Sequence, residues 1–281
     1  MKAATALTLG RVSNLPTVWS NVLAGTVLAG GQLEANVTAL VLAAVSCLYV
    51  AGMYLNDVCD VGWDCRHRPE RPIPSGAATR AEVALWGAAL MMAGPLLLLA
   101  AGGSAALGGV GLAAAILLYD VVHKHFAPAP WIMGACRALV YGTAGLAACG
   151  LTPGLFAGAA ALTAYVAGLT HAARTEHLSV PTAWGPLILL AAPVALALTR
   201  VPDQPAALVF IAAALAWGVV CLRRLRAGPQ RNVGAAVGGL IAGIALVDAA
   251  LLAAWGAYGP AAFAVAAFGA TLVLHRRIAG T

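Results

Sequence analysis

Nine consecutive residues carry most of the chemistry this sequence can offer: Asn56-Asp57-Val58-Cys59-Asp60-Val61-Gly62-Trp63-Asp64. On a helix, Asp57, Asp60 and Asp64 stand at i, i+3 and i+7, so their carboxylates share one face, with Asn56 one turn before Asp60. Three like charges on one face repel, and something cationic must offset them. Hard oxygen donors at this spacing suit Mg²⁺, which takes a few carboxylates and completes its shell with water and phosphate oxygens. Asn56, Asp57, Asp60 and Asp64 are therefore candidate metal ligands, and metal-bridged phosphate is the chemistry they suggest. The plainer alternative is a solvated helix end neutralised by Arg66, Arg68 and Arg71.

The chain continues Arg66-His67-Arg68-Pro69-Glu70-Arg71-Pro72-Ile73-Pro74-Ser75-Gly76. Three prolines stiffen this loop. Arg68 and Arg71 beside an acidic site make a diphosphate clamp, because guanidinium binds phosphate oxygens through two N–H groups at once. Arg71, followed by proline, is the preferred ligand, although cytoplasmic arginines also serve simply to orient membrane proteins.

The elements that hold these groups lie in lipid. Of 281 residues, 62% are apolar and only 9% charged, against about 25% charged in soluble domains. A water-soluble fold is excluded, and the Ala, Leu, Gly and Val content suits close helix packing better than a barrel. Stretches of roughly 20 apolar residues, enough to span, are read at about 12–30, 36–56, 82–102, 104–122, 131–150, 153–173, 183–200, 204–222, 233–255 and 258–275. The expectation is an all-α, polytopic bundle of nine or ten helices, forming one domain over residues 1–281. The final hairpin, about 233–275, could instead be re-entrant.

With the amino terminus cytoplasmic, fourteen of the sixteen Lys and Arg residues fall on the inner face. This positive-inside pattern places both termini in the cytoplasm if there are ten spans, in a multi-pass protein of the cell membrane. It also explains the net charge of +6 through topology and anionic headgroups, without nucleic acid. The six cysteines form no CxxC pair and are expected as reduced thiols.

The run Asn-Asp-x-x-Asp-x-x-x-Asp followed by Arg-Pro-x-Pro-Ser-Gly, at the cytoplasmic end of the second helix, resembles the first aspartate motif of the UbiA superfamily of intramembrane prenyltransferases. The likeness extends to Asn14-Leu-Pro-Thr-Val-Trp-Ser-Asn21 in the first helix and to Tyr119-Asp-Val-Val-His-Lys124 after the fourth. The resemblance implies a helical bundle around a central cavity open to lipid. There Mg²⁺ would hold a prenyl diphosphate, and the prenyl cation would alkylate a small acceptor. Asn56, Asp57, Asp60 and Asp64 would take the first-motif roles.

The sixth span departs from that family's pattern. Where a second Asp-x-x-x-Asp motif belongs, the chain reads Gly168-Leu-Thr-His171-Ala-Ala-Arg174-Thr-Glu176-His177. Glu176 could serve alone as a metal ligand, or His171 and Arg174, at i and i+3, could bind diphosphate directly. A helix end favouring cations at its negative terminus would look the same. This run together with Tyr119-Asp-Val-Val-His-Lys resembles the EboC-like branch, found with cyclitol-related pathways.

The remaining polar groups sort by position. Lys124, which Asp120 at i−4 could orient, can meet phosphate as a point charge and joins the catalytic candidates Asp57, Asp60 and Asp64. Arg137, two turns into span five, needs an interior partner, Asp120 or a first-motif acid, and is either a structural ion pair or a diphosphate or acceptor contact. Asn21 fits helix–helix hydrogen bonding or substrate contact equally. Tyr119 and Tyr141 are candidate acceptor or cavity residues. Asp248, deep in span nine, is expected to be neutral and hydrogen-bonded.

These readings converge on Mg²⁺-dependent prenyl transfer from an isoprenyl diphosphate to an aromatic or hydroxylated, cyclitol-like acceptor. Rivals are a terpene cyclase acting on the diphosphate alone, a transporter, and a non-catalytic binding member.

Overall fold

The computed structural model describes residues 1–174, 184–225, 232–278 and 280. The described residues are all-α. In chain order the helices are α1 (Ala3–Leu9), α2 (Leu15–Leu28), α3 (Ala35–His67), α4 (Arg80–Leu99), α5 (Gly103–Val122), α6 (Ala129–Ala148), α7 (Pro153–Ala173), α8 (Ala192–Leu198), α9 (Ala207–Arg223), α10 (Val233–Ala254) and α11 (Tyr258–His275). Short 3₁₀ turns at Val12–Asn14 and Gly185–Ala191 lead into α2 and α8.

Helical backbone lies under each of the ten expected spans, with two differences. The seventh is a 3₁₀ segment running into the short α8, with Pro186 and Pro193 each in the first turn of its own segment. Proline there forfeits no helical hydrogen bond but limits how the preceding turn can wind. The other difference is α1, a short helix ahead of the first span, with the hydroxyl of Tyr54 in α3 donating to the carbonyl of Ala6 at 3.1 Å.

Six helices, α3, α4, α5, α7, α10 and α11, are long and apolar enough to cross a membrane. Outward-facing Leu85, Met92, Leu107, Val121, Val209 and Ile188 are exposed, an apolar surface of a kind that water-soluble monomers avoid. The protein is multi-pass in the membrane. α3 is the longest element; its 33 residues span about 50 Å at 1.5 Å each, well beyond a hydrocarbon core of about 30 Å. Its last three turns carry Asp57, Asp60 and Asp64. Arg66 and His67 close the helix, where cations complement its dipole.

Among the described residues two large apolar cores form the interior, with a small cluster of Leu9, Tyr54, Ala78 and Val83 beside them. One joins α3, α4 and α5; the other joins α7, α8, α9, α10 and α11. α2 and α6 contribute to both. These two helices touch closely at Gly25, where an added Cβ would lie 2.6 Å from the Tyr141 backbone. A side chain there would force the helices apart, and with them the polar groups they place together.

Candidate functional site

The charged end of α3 is closed by its own loop. After Arg68 the chain turns back, with Arg71 N donating to the Arg68 carbonyl at 3.1 Å and Ala78 N to the Pro72 carbonyl at 3.1 Å. α4 then starts at a Thr79 cap, whose hydroxyl accepts from Glu82 N at 3.2 Å. This fold returns the Arg71 side chain onto α3. One nitrogen, Nη1, reaches Asp57 Oδ1 at 3.0 Å and Asp64 Oδ2 at 3.4 Å. Asp57 Oδ1 also accepts from Arg11 Nη2 at 3.2 Å. Burial and the neighbouring Arg11 lower the affinity of Arg71 for its proton, against the opposing pull of Asp57 and Asp64.

Asp60 faces the other way. Lys124 Nζ lies 2.6 Å from its Oδ1, and His123 Nε2 lies 3.5 Å from Oδ2. Burial disfavours charge on His123, but Asp60 and the carbonyls of Tyr119 and Asp120 outweigh it and raise its pKa. The Trp63 ring underlies this pair, with Lys124 Nζ 5.2 Å and the Arg68 guanidinium 5.6 Å from its centroid, within cation–π range.

Three of these residues escaped the sequence reading. In sequence Arg11 reads only as one of the fourteen inner-face cations. Its left-handed backbone, φ 41° and ψ 45°, is uncommon outside glycine and asparagine, and it turns the chain from α1 into the first span so that the side chain enters the site. His123 and Trp63 were visible only as neighbours of Lys124 and Asp60; nothing in their spacing marked them.

The metal expectation meets a specific arrangement. Among the described residues no three His, Cys, Asp or Glu side chains gather about one point. Asp57 and Asp64 nevertheless converge on a single cationic atom, and Mg²⁺ commonly uses one or two carboxylates with water and phosphate oxygens. Two carboxylates that meet at one atom fit Mg²⁺ held by Asp57 and Asp64, while Asp60 is engaged with Lys124 and His123 and Asn56 with Asp120. Glu176 lies outside the described residues.

Below the rim is a cavity of about 270 Å³, lined by Arg11, Tyr119, Asp120 and Arg137 and otherwise mainly by apolar side chains from both cores. Tyr119 lies on its wall, as expected. Several other groups are placed differently from the sequence reading. Asp120 does not orient Lys124; its Oδ1 accepts from Asn56 Nδ2 at 3.2 Å, while Lys124 turns to Asp60. Arg137 makes no ion pair among the described residues. It donates from Nη1 to Asn21 Oδ1 at 2.8 Å and lies over the Tyr49 ring at 5.8 Å. Asn21 and Tyr141 are fully buried and do not line the cavity. Both bind Asp248, with Asn21 Nδ2 at 2.8 Å and the Tyr141 hydroxyl at 2.5 Å, joined by the Ser20 hydroxyl at 2.5 Å. Asp248 thus has three hydrogen-bonded partners, and Arg137 is held through Asn21.

The end of α7 does not join the rim cluster either. Arg174 donates to the carbonyls of Ala127 and Phe126 at 2.8 and 3.1 Å, bracing the turn between α5 and α6. His171 Nε2 is buried without a hydrogen-bond partner.

Fold and site together define a polytopic membrane protein with an acid-and-cation rim over a largely apolar cavity. The structure superposes on a UbiA homologue from Archaeoglobus fulgidus bound to GPP and Mg²⁺, with a TM-score of 0.62 and 14% identity over 91% of this chain and 99% of that one. It also superposes on a solved structure concerning digeranylgeranylglyceryl phosphate synthase in membranes, with a TM-score of 0.62 and 20% identity over 91% and 98% of the two chains. A UbiA homologue from Aeropyrum pernix gives 0.54 and 20% over 95% and 98%. The chain shares its fold with these UbiA homologues, the superfamily whose first aspartate motif the Asn56–Asp64 run resembles. In sequence, 102 residues are 41% identical to a digeranylgeranylglyceryl phosphate synthase from Ignicoccus hospitalis, covering 36% of this chain and 33% of that protein. A same-named protein from Methanothrix thermoacetophila is 33% identical over 94 residues, 33% of this chain and 35% of its own. The matches thus span about a third of the length of these curated relatives. No family model matches the chain.

Proposed function

We infer that this chain is a Mg²⁺-dependent intramembrane prenyltransferase that moves a prenyl group from an isoprenyl diphosphate to a small acceptor. The observation that carries the reading is the rim itself. Asp57, Asp60 and Asp64 project from one helix, each already within reach of a side chain that can bind phosphate, and one of those side chains, Arg11, also lines the cavity. The relatives named as synthases and the homologue bound to GPP and Mg²⁺ support it.

When bound, Mg²⁺ supplies positive charge to the leaving diphosphate. Arg11, Arg71 and Lys124 supply the remainder from fixed positions, stabilising charge as it develops on the departing oxygen. The apolar walls below receive the prenyl chain and keep water from the allylic carbon. Arg68 is stationed on the Trp63 face at the outer edge of the clamp. Of the residues expected from sequence at the diphosphate, Arg137 lies on the cavity wall and Arg174 at the supporting turn, and this reading gives neither them nor His171 a diphosphate contact. Both termini are cytoplasmic, on the rim side.

Incubating the purified protein with geranyl diphosphate and a panel of small aromatic and hydroxylated acceptors, and measuring Mg²⁺-dependent prenyl transfer with diphosphate release, tests the reading. Asp60→Ala is expected to lose about 10²- to 10³-fold. Full Mg²⁺-dependent activity in that variant would overturn it.

A further inference from the structure

We propose that a second pocket, between the rim-side ends of α9, α10 and α11, binds a phosphate group at the membrane surface, carried by a lipid headgroup or free in solution. The pocket is separate from the diphosphate clamp, and its occupancy does not depend on prenyl transfer.

From residue 204 to residue 281 the chain carries six arginines and one acid, Asp248. That acid is buried in the core, where Ser20, Asn21 and Tyr141 donate to it. At the rim, Arg11, Arg71 and Lys124 each meet a carboxylate. Among the described residues Arg224 and Arg276 meet none. Positive charge at this corner is therefore left for something outside the described chain.

Arginines that only orient a membrane protein need no cavity. Here a space of about 430 Å³ opens between the three helices, with Arg224 at the end of α9 and His275 and Arg276 at the end of α11 on its walls. One water takes about 30 Å³ of liquid, so a phosphate group and the head of a lipid fit. The facing side of α10 is kept low by Gly238: a Cβ added there would meet no heavy atom closer than His275 Nδ1 at 3.8 Å.

The walls are held in place. Arg224 Nη1 donates to the Ala235 carbonyl at 3.2 Å, and the Arg224 carbonyl accepts from Asn232 N at 2.9 Å. Among the described residues that guanidinium bond uses one of five N–H donors. Two turns deeper on α9, Trp217 Nε1 donates to the Gly239 carbonyl at 2.7 Å, and its ring meets Phe268 edge-on at 4.9 Å. Arginines set over an apolar base suit phosphate, since each guanidinium offers two N–H groups to two oxygens. Basic pockets between membrane helices hold lipid headgroups in this way. The first turn of α10 forms part of the wall, and its dipole favours the same charge.

His275 joins this pocket to the prenyl cavity without merging the two. Asn14 Nδ2 donates to the Tyr49 hydroxyl and the Gly280 carbonyl, so its Oδ1 accepts from His275 Nε2 at 2.7 Å. Asn14 and Gly280 line the prenyl cavity, whereas Arg224, His275 and Arg276 line only the second pocket.

The test titrates the full chain, purified in detergent, with phosphatidylglycerol, phosphatidylcholine and inorganic phosphate. Native mass spectrometry reads the lipids and calorimetry reads the phosphate. The expected result is saturable binding of phosphatidylglycerol in preference to phosphatidylcholine, or of inorganic phosphate, the tighter arm identifying the source. An Arg224→Ala, Arg276→Ala double variant should weaken it about tenfold or more. Gly238→Leu keeps both arginines but fills the space, and should weaken it likewise; it stands in if the double variant fails to fold. Arg223→Ala, Arg277→Ala removes the same charge from exposed positions outside the pocket and should stay within about twofold, because exposed charges are screened. Geranyl diphosphate binding should stay within about twofold in all three, since these positions are remote from the rim. The proposal is overturned if neither probe saturates, if Gly238→Leu and the Arg224, Arg276 variant bind as the wild type does, or if the exposed pair costs as much as the pocket pair. A wild type that binds phosphate here but no geranyl diphosphate would overturn the prenyl-transfer reading alone.

Discussion

The molecule buries carboxylates in two contrasting ways. At the rim, Asp57, Asp60 and Asp64 are matched by Arg11, Arg71, Lys124 and His123, and the cations are only partly buried. In the core, Asp248 is fully buried among neutral donors, the hydroxyls of Ser20 and Tyr141 and the amide of Asn21. The rim carboxylates are buried but their cations are partly open to water, so an entering anion can take up a cation provided that another positive charge, such as Mg²⁺, compensates the carboxylate. A fully enclosed hydrogen-bonded node cannot exchange partners in this way, because every group left unpaired carries its full desolvation penalty. The rim is thus suited to receive a charged ligand. The node is suited to hold α2, α6 and α10 in one arrangement and, through Asn21, to fix Arg137 on the cavity wall.

Substitutions should separate the two. The largest loss is the one at Asp60 described above, in activity and with the fold intact. Next, Asp248→Ala strands three donors and should cost roughly 2–3 kcal/mol of stability, seen as a lowered melting temperature in detergent. Its remaining activity should respond to Mg²⁺ as the wild type does. If Asp248→Ala instead shifted the Mg²⁺ titration while leaving the melt unchanged, the division of labour would be wrong.

Lys124→Ala should raise the KM for geranyl diphosphate by about tenfold, with Lys124→Arg recovering part of it because Arg keeps the charge but not the point geometry. An unchanged KM would place Lys124 in the structure alone. Arg174→Ala should do least. It removes two exposed hydrogen bonds to loop carbonyls, and a change within about 0.5 kcal/mol in stability with little change in donor KM is expected; a tenfold rise would return Arg174 to the diphosphate.

How much of this was legible in the sequence depended on the range of the interaction. The spans follow from apolar runs, which are local, and because α3 continues unbroken to His67 the i, i+7 spacing of Asp57 and Asp64 brings both onto Arg71, whereas Asp60 turns to His123 and Lys124. The partners were hidden because they are distant in sequence. Arg11 meets Asp57 across 46 residues, and Ser20 meets Asp248 across 228. The i+4 spacing of Asp120 and Lys124 predicts a local pair, but Asp60, brought in by α3, is the better placed acid for Lys124. Arg137 was rightly expected to need an interior partner, but a neutral amide backed by a remote acid is not readable from its own helix.

The central claim is that the rim binds a prenyl diphosphate through Mg²⁺ and its own cations. Calorimetric titration of geranyl diphosphate into the purified protein, with Mg²⁺ and with a chelator, measures it directly in the wild type and in an Asp57→Asn, Asp64→Asn double variant. Saturable binding that needs Mg²⁺ in the wild type and is lost in the double variant is the predicted result; equal binding in both proteins, indifferent to Mg²⁺, would contradict it.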